Sequence, residues 1–426
     1  MKYLIVQILL FPILICQLFS QENMKVISLY NLKTDNSIWY ANKNNFGKNN
    51  LENELSFTLK EKFSWGQINI NISNAYENKN QIKSGESFLK FNFKNKSYLK
   101  IGQYYRDFSL YLDDNLSTGS ILISKNAAPF KKIGFILNKN ILGYNFDFGI
   151  SHGQLRKNTI YSKAPFVHGK FIYMDIIDTQ DQLFTIGLVH QALWAGGTYE
   201  LGNFPSDFES FLKVFISADG PVDPTRPTSH PNALGSHLGI WDFSFTKKLA
   251  KQNELLVYYQ HIFEDTSSFR FANEIDGLWG IQFTNLKSQS KFLVEYLDTT
   301  HSDLDPPYQA DTYYWNYQYQ DGWKYFKNII GNPFINPNSG EKGVWGHQQL
   351  KVLHLASEIK LLESLNLRSK VTKVIGKESN KYVDTTNEIL FSLQLIKDYK
   401  KVSLFLDTFG EGENIVAGIG LQYKFN

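Results

Sequence analysis

The chain has 426 residues, a formal net charge of +3, an aromatic fraction of 15% and one cysteine, Cys16. Near-neutral charge leaves no basic footprint for nucleic acid, and a single thiol excludes a disulfide framework and a thiolate metal site. The length suits two average domains or one large β domain, and 33 Phe with 24 Tyr against 3 Met suit a membrane barrel with aromatic girdles.

Residues 1–20, MKYLIVQILLFPILICQLFS, open with one positive charge at Lys2 and an apolar run from Tyr3 to Ile15. That run is short for a spanning helix, and Ser20 before Gln21 offers a cleavage site, so the segment reads as a secretory signal peptide. A lipidated Cys16 is the competing reading, disfavoured by the bulky Ile15 before it. Residues 21–426 are expected to form one barrel domain.

Beyond the signal, period-two alternation recurs almost to the end. It predicts strands near 36–42, 52–60, 66–75, 86–93, 96–103, 131–138, 144–151, 169–176 and 182–190. Further strands are predicted near 236–248, 253–263, 277–285, 290–298, 347–361, 366–376, 385–396, 400–408 and 414–426. In KIGFILN, Ile133, Phe135 and Leu137 share one face; in LWGIQF, Trp279, Ile281 and Phe283 do. The opposite faces carry Lys90, Asn92, Asp147, Gly280, Gln282, Ser392 and Gln394. The closing stretch NIVAGIGLQYKFN places Ile415, Ala417, Ile419, Leu421, Tyr423 and Phe425 on the greasy side. The longest links, 104–130, 191–235, 264–276 and 299–346, all fall at odd-numbered connections, and tight turns fill the even ones. Long loops on one side and short turns on the other, with about eighteen strands, predict an all-β transmembrane antiparallel barrel.

Two long links carry further signals. In 191–235, Ser206 and Glu209 form a capping box, and Phe208, Phe211, Leu212 and Phe215 follow at helical spacing, which predicts a short amphipathic helix packed against the barrel or over its mouth. Pro221, Pro224, Pro227 and Pro231 keep the remainder irregular. In 299–346, Tyr313, Tyr314, Trp315, Tyr317, Tyr319, Trp323 and Tyr325 crowd together with Asn316, Gln318, Asp321 and Lys324 between them. Flat rings beside amides and carboxylates suit a sugar, whose C–H face stacks while its hydroxyls find donors and acceptors. A girdle or an internally packed loop explains the same residues.

The segments ISKNAAPF at Ile123, LWAGGTYELGNFPSDFESFLKVF at Leu193, IDGLWGIQF at Ile275 and YQYQDGWKYFKNIIGNPF at Tyr317 resemble, in order, signatures of the Wzi family of capsule-assembly proteins. The resemblance covers most of the chain after residue 20. It implies an eighteen-stranded barrel in the outer membrane of a Gram-negative bacterium that binds capsular or related surface polysaccharide. With the loop composition, it makes Trp323 and Tyr325 the candidate stacking platforms, Asp321 and Asn316 the candidate hydrogen-bonders, and Trp315 and Tyr317 further glycan contacts. The pattern Gly420, Tyr423, Phe425 resembles the C-terminal signal read by barrel-assembly machinery, a partner expected beside outer-membrane lipid and the polysaccharide.

No nucleophile motif, metal spacing or cofactor loop stands out. Gly-x-Ser-x-Gly and H-E-x-x-H are absent from the sequence, and the carboxylate pairs Asp113–Asp114 and Glu264–Asp265 suit solvated loop charges better than glycoside hydrolysis. The expectation is therefore a non-enzymatic protein without cofactor, catalytic residues or metal. A porin or sugar channel shares the barrel and is the alternative; the helix in 191–235 and the bulk of 299–346 favour a plugged mouth.

Overall fold

A computed structural model describes residues 24–32, 53–77, 79–220, 233–250, 252–264, 266–301, 312–326, 328–335, 350–376, 387–411 and 414–425. The predicted signal peptide, the strand predicted at 36–42 and the four prolines of 221–231 lie outside these residues. Eighteen long strands run in chain order among the described residues. They are β1 (Met24–Leu32), β2 (Asn53–Phe63), β3 (Gly66–Glu77), β4 (Lys79–Ser84 continued by Ser87–Asn92), β5 (Tyr98–Gln103) and β6 (Lys131–Ile141). Next come β7 (Tyr144–Gln154), β8 (Phe166–Asp178), β9 (Gln182–Trp194), β10 (Ser236–Leu249), β11 (Asn253–Phe263) and β12 (Gly277–Asn285). The last are β13 (Ser290–Asp298), β14 (Leu350–Leu362), β15 (Leu365–Gly376), β16 (Asn387–Tyr399), β17 (Val402–Glu411) and β18 (Asn414–Phe425).

Every strand pairs antiparallel with its sequence neighbours, and both halves of β4 pair along β3. The ladder returns on itself: β1 pairs with β2, Ile27 opposite Phe57, and with β18, Ile27 opposite Tyr423. Among the described residues the ladder thus closes on itself, with Lys79–Ser84 paired on one side only; closure is the condition a sheet in hydrocarbon must meet. β1 was not anticipated, because MKVISLYNL mixes polar and apolar residues on both faces.

The alternation sorts as expected. Ile133, Phe135, Ile281, Phe292, Val294, Leu353, Leu355, Leu393, Leu404, Leu406, Ile415 and Ile419 all point outward and exposed. Between them, Ile136, Gln282, Leu293, Glu295, Val352 and His354 turn inward and are buried. Rings cluster on the exterior at both strand ends. At the short-turn end Phe63 stacks on Trp65 at 5.0 Å, and Phe93 meets Phe135. At the long-loop end Tyr259 stacks on Trp279 at 3.6 Å, and Trp241 packs on Phe269. These are the two aromatic girdles of a spanning barrel.

The lumen is filled, chiefly by the 104–130 link. Leu116, Ile121 and Leu122 are wholly buried, in one apolar cluster with Val189, Ile240, Ile262 and Leu297 of the inner wall. Inward polar side chains hold the segment's backbone and hydroxyls. Glu295 accepts from the Ser117 hydroxyl at 2.5 Å and the Thr118 amide at 2.6 Å, Gln260 accepts from the Ile121 amide at 3.0 Å, and His354 meets the Leu116 carbonyl at 2.7 Å. Asp242 accepts from Ser109, Tyr111 and Tyr173. Asp113 reaches Lys291 at 2.6 Å, beside the turn that opens β13, so the plug descends nearly to the short-turn end. The sequence reading attributed plugging to 191–235 and 299–346 and missed this segment.

Candidate functional site

Residues 312–335 form a lid on the plug. Tyr314 places its hydroxyl against the Ile121 carbonyl and accepts from the Asn332 amide. Asn332 donates to the Gly119 carbonyl at 2.9 Å, and Ser124 donates through its amide to the Ile330 carbonyl at 2.8 Å and through its hydroxyl to the Gly331 carbonyl at 2.6 Å. A Cβ on Gly331 would lie 2.0 Å from the Ile121 carbonyl oxygen, so only glycine lets the two segments approach this closely. A two-residue hairpin, Lys324–Tyr325 against Asn328–Ile329, brings Trp323 and Ile330 together.

The six predicted glycan contacts separate into two layers. Trp323 is 4% exposed, and its indole N–H donates to the Leu122 carbonyl at 2.6 Å. Tyr325 is 6% exposed, with its ring edge-on to Phe130 at 6.1 Å. Both rings are thus consumed in fastening lid to plug, and a buried ring presents no face to a sugar: the stacking role assigned to Trp323 and Tyr325 is corrected. Trp315, Asn316, Tyr317 and Asp321 lie above them, half-exposed. Asn316 accepts from the Gln318 amide at 2.9 Å, which orders the turn.

Asp321 accepts from Asn158 at 2.7 Å, linking the lid to the loop between β7 and β8. Burial lifts its carboxyl above the usual carboxylate range, partly offset by Lys324 and Asn158. Phe326 is exposed, and the guanidinium of Arg156, two residues before Asn158, lies 4.6 Å from its ring centre. Arg156, Asn158 and Phe326 thus belong to the same rim, and sequence reasoning did not select them. Arg156 and Asn158 sit in an eleven-residue link whose partner in space lies far along the chain. Together the rim offers flat rings, amides, a carboxylate and a guanidinium to a hydroxyl-rich ligand.

Three of the loop carboxylates, Asp113, Asp114 and Glu264, are engaged in holding the fold. Asp113 pairs with Lys291, Asp114 with Arg106 at 2.8 Å, and Glu264 accepts from the Tyr314 amide at 3.0 Å. Asp276, Asp298 and His301 offer ligand atoms within 4.8 Å of one another. Their oxygens, however, already accept from the His301 amide, Tyr313, Thr300 and Tyr296, a clasp that ties the lid to the ends of β12 and β13.

The profile of the capsule assembly protein Wzi family matches residues 32–340. Among solved structures the chain is similar to Wzi, an outer membrane protein involved in group 1 capsule assembly in Escherichia coli and described as a carbohydrate-binding β-barrel. The two share 14% identity over 94% of this chain and 84% of that one, with a TM-score of 0.63. Two Pseudomonas aeruginosa proteins also align over 95% of this chain: OccK5 at 9% identity over 97% of its own length, and OccK3 at 12% over 96%, each with a TM-score of 0.49. No curated protein sequence matches.

Proposed function

The chain belongs to the capsule assembly protein Wzi family, and from that premise we propose that this outer-membrane barrel holds capsular or related surface polysaccharide at the cell surface without making or cleaving it. The observation that carries the reading is the family match, which spans both the plug and the lid. Trp315, Tyr317, Asn316 and Asp321 are the contacts, supported by their half-exposed position on the long-loop face; Trp323 and Tyr325 hold the platform from beneath. Outer-membrane lipid along the apolar belt and the barrel-assembly machinery at β18 are the remaining partners.

Each exposed ring stack is worth about 0.5–1.5 kcal/mol beyond its area, a several-fold change in affinity. A repeating polymer engages many barrels at once, so modest stacks accumulate into retention. The double variant Trp315→Ala, Tyr317→Ala should keep heat-modifiable gel migration and lose purified-polysaccharide binding, with polymer still exported but shed into the medium. A folded double variant that binds and retains polysaccharide like the parent refutes this site.

A further inference from the structure

Helix α1 (Phe208–Ile216) begins at Asp207, which caps it by accepting from the Ser210 amide, one residue later than the capping box predicted. It lies on the outside of the barrel wall. The parity of β8 fixes this: Tyr173 turns inward to Asp242, so His168 and Lys170 face outward with the exposed Ile172. The wall beneath α1 carries these two with His190 of β9 and His237 of β10, set among the apolar Phe166, Ala192 and Trp194. The helix meets that patch group by group. Phe211 packs on His168 and Trp194, both at 5.3 Å, Lys170 donates to the Phe215 carbonyl, and Ser217 sits 3.4 Å from each member of the His190–His237 pair.

The opposite side of α1 has no protein against it among the described residues. At about 100° per residue, Phe208, Leu212 and Ile216 form one stripe, and they are 74%, 46% and 70% exposed. Glu209 and Lys213, paired at 3.0 Å, run along the stripe's edge. On the same exterior wall, beside Lys170 in the ladder, Ile150 and Ile172 are exposed.

We propose that α1 is an interfacial anchor, with Phe208, Leu212 and Ile216 immersed at the boundary of acyl chains and headgroups in the outer leaflet. The Glu209–Lys213 edge faces the headgroups. A helix with an apolar stripe and a charged edge takes this position in a bilayer. It also shields Lys170, His190 and His237 from lipid, where such polar groups are costly. The anchor ties the loop after β9 to the membrane surface, and Tyr319 of the lid donates to Ala195 of that loop, so the lid's height above the bilayer is set in part by α1. This inference rests on the spanning barrel and is independent of what the rim binds.

Nitroxide labels placed singly by Phe208→Cys, Leu212→Cys, Ile216→Cys, Glu209→Cys and Lys213→Cys, in a Cys16→Ser background, test it in liposomes. Labels at 208, 212 and 216 should be relaxed more by oxygen than by a water-soluble nickel chelate, and labels at 209 and 213 the reverse. Preference for the chelate at all five sites overturns the proposal by placing α1 in water. Exclusion of both reagents at 208, 212 and 216 overturns it by showing a protein cover, such as a second copy. On the unmodified chain a lipid-dissolved carbene precursor should label the peptide bearing Phe208–Ile216; absence of that adduct, with belt peptides labelled, overturns it equally.

Discussion

Asp276 shows how a single side chain in the clasp couples the lid to pH. Burial raises its carboxyl from 3.8 to about 6, with the amide of His301 and the hydroxyl of Tyr313 opposing the rise. Between those values the folded state holds a proton that the unfolded chain has released. Stability from this group is therefore fully present below 3.8 and is lost as pH rises through about 6. Asp276→Asn should flatten that part of the profile, and comparing the denaturation midpoints of parent and variant across the window checks it. An unchanged slope would mean the group is solvated in the folded protein. At this scale the sequence was legible in kind but not in depth. The cluster from Tyr313 to Tyr325 was correctly seen as aromatic and amide-rich, yet nothing in its spacing separates Trp323, bonded to Leu122, from Trp315 above it. That difference is made by a segment two hundred residues earlier in the chain.

At the scale of elements, alternation carried the outward faces because lipid imposes one solvent on every strand. It carried the inward faces less well, because the plug replaces water with side chains. Leu256 and Ile262 of β11 turn inward yet are apolar, buried in the same cluster as Leu122. The 104–130 link shows no period for the same reason: its contacts are set by Glu295, Gln260 and His354 on distant strands. Helix α1, by contrast, was legible from its local spacing. In β18, Ile419 is 61% exposed near the middle of the strand and Gln422 is half-buried on the opposite face. Ile419→Arg should cost about 2–4 kcal/mol, as a charge on the lipid face near the midplane does, whereas Gln422→Arg should be mild. Denaturant titration of the reconstituted barrel distinguishes them, and equal costs would show that the lipid face is misassigned.

At the scale of the molecule, the question is whether a barrel of eighteen strands conducts or holds. A wall of this circumference encloses room for a channel, and here that room is taken by a plug bonded to inward residues of β10, β11, β13 and β14 and covered by the lid. The fastening is polar at many points, so loosening it does not require unfolding the wall. Two changes act on the plug from opposite sides. Glu295→Ala removes the acceptor of Ser117, Thr118 and Tyr258 from the wall side. Trp323→Ala removes a buried ring and the bond to Leu122 from the lid side, a truncation of the kind that costs about 3–5 kcal/mol. In planar bilayers the parent should be silent, and each variant should show intermittent openings while retaining heat-modifiable migration, because the strand ladder is untouched. Polysaccharide binding separates the two layers of the site: Glu295→Ala should leave it near the parental level, since the lid's rim stays in place, whereas Trp323→Ala should lower it along with the lid. Steady conductance in the parent that added sugar blocks would reverse the assignment, making the lumen the path and the rim its entrance.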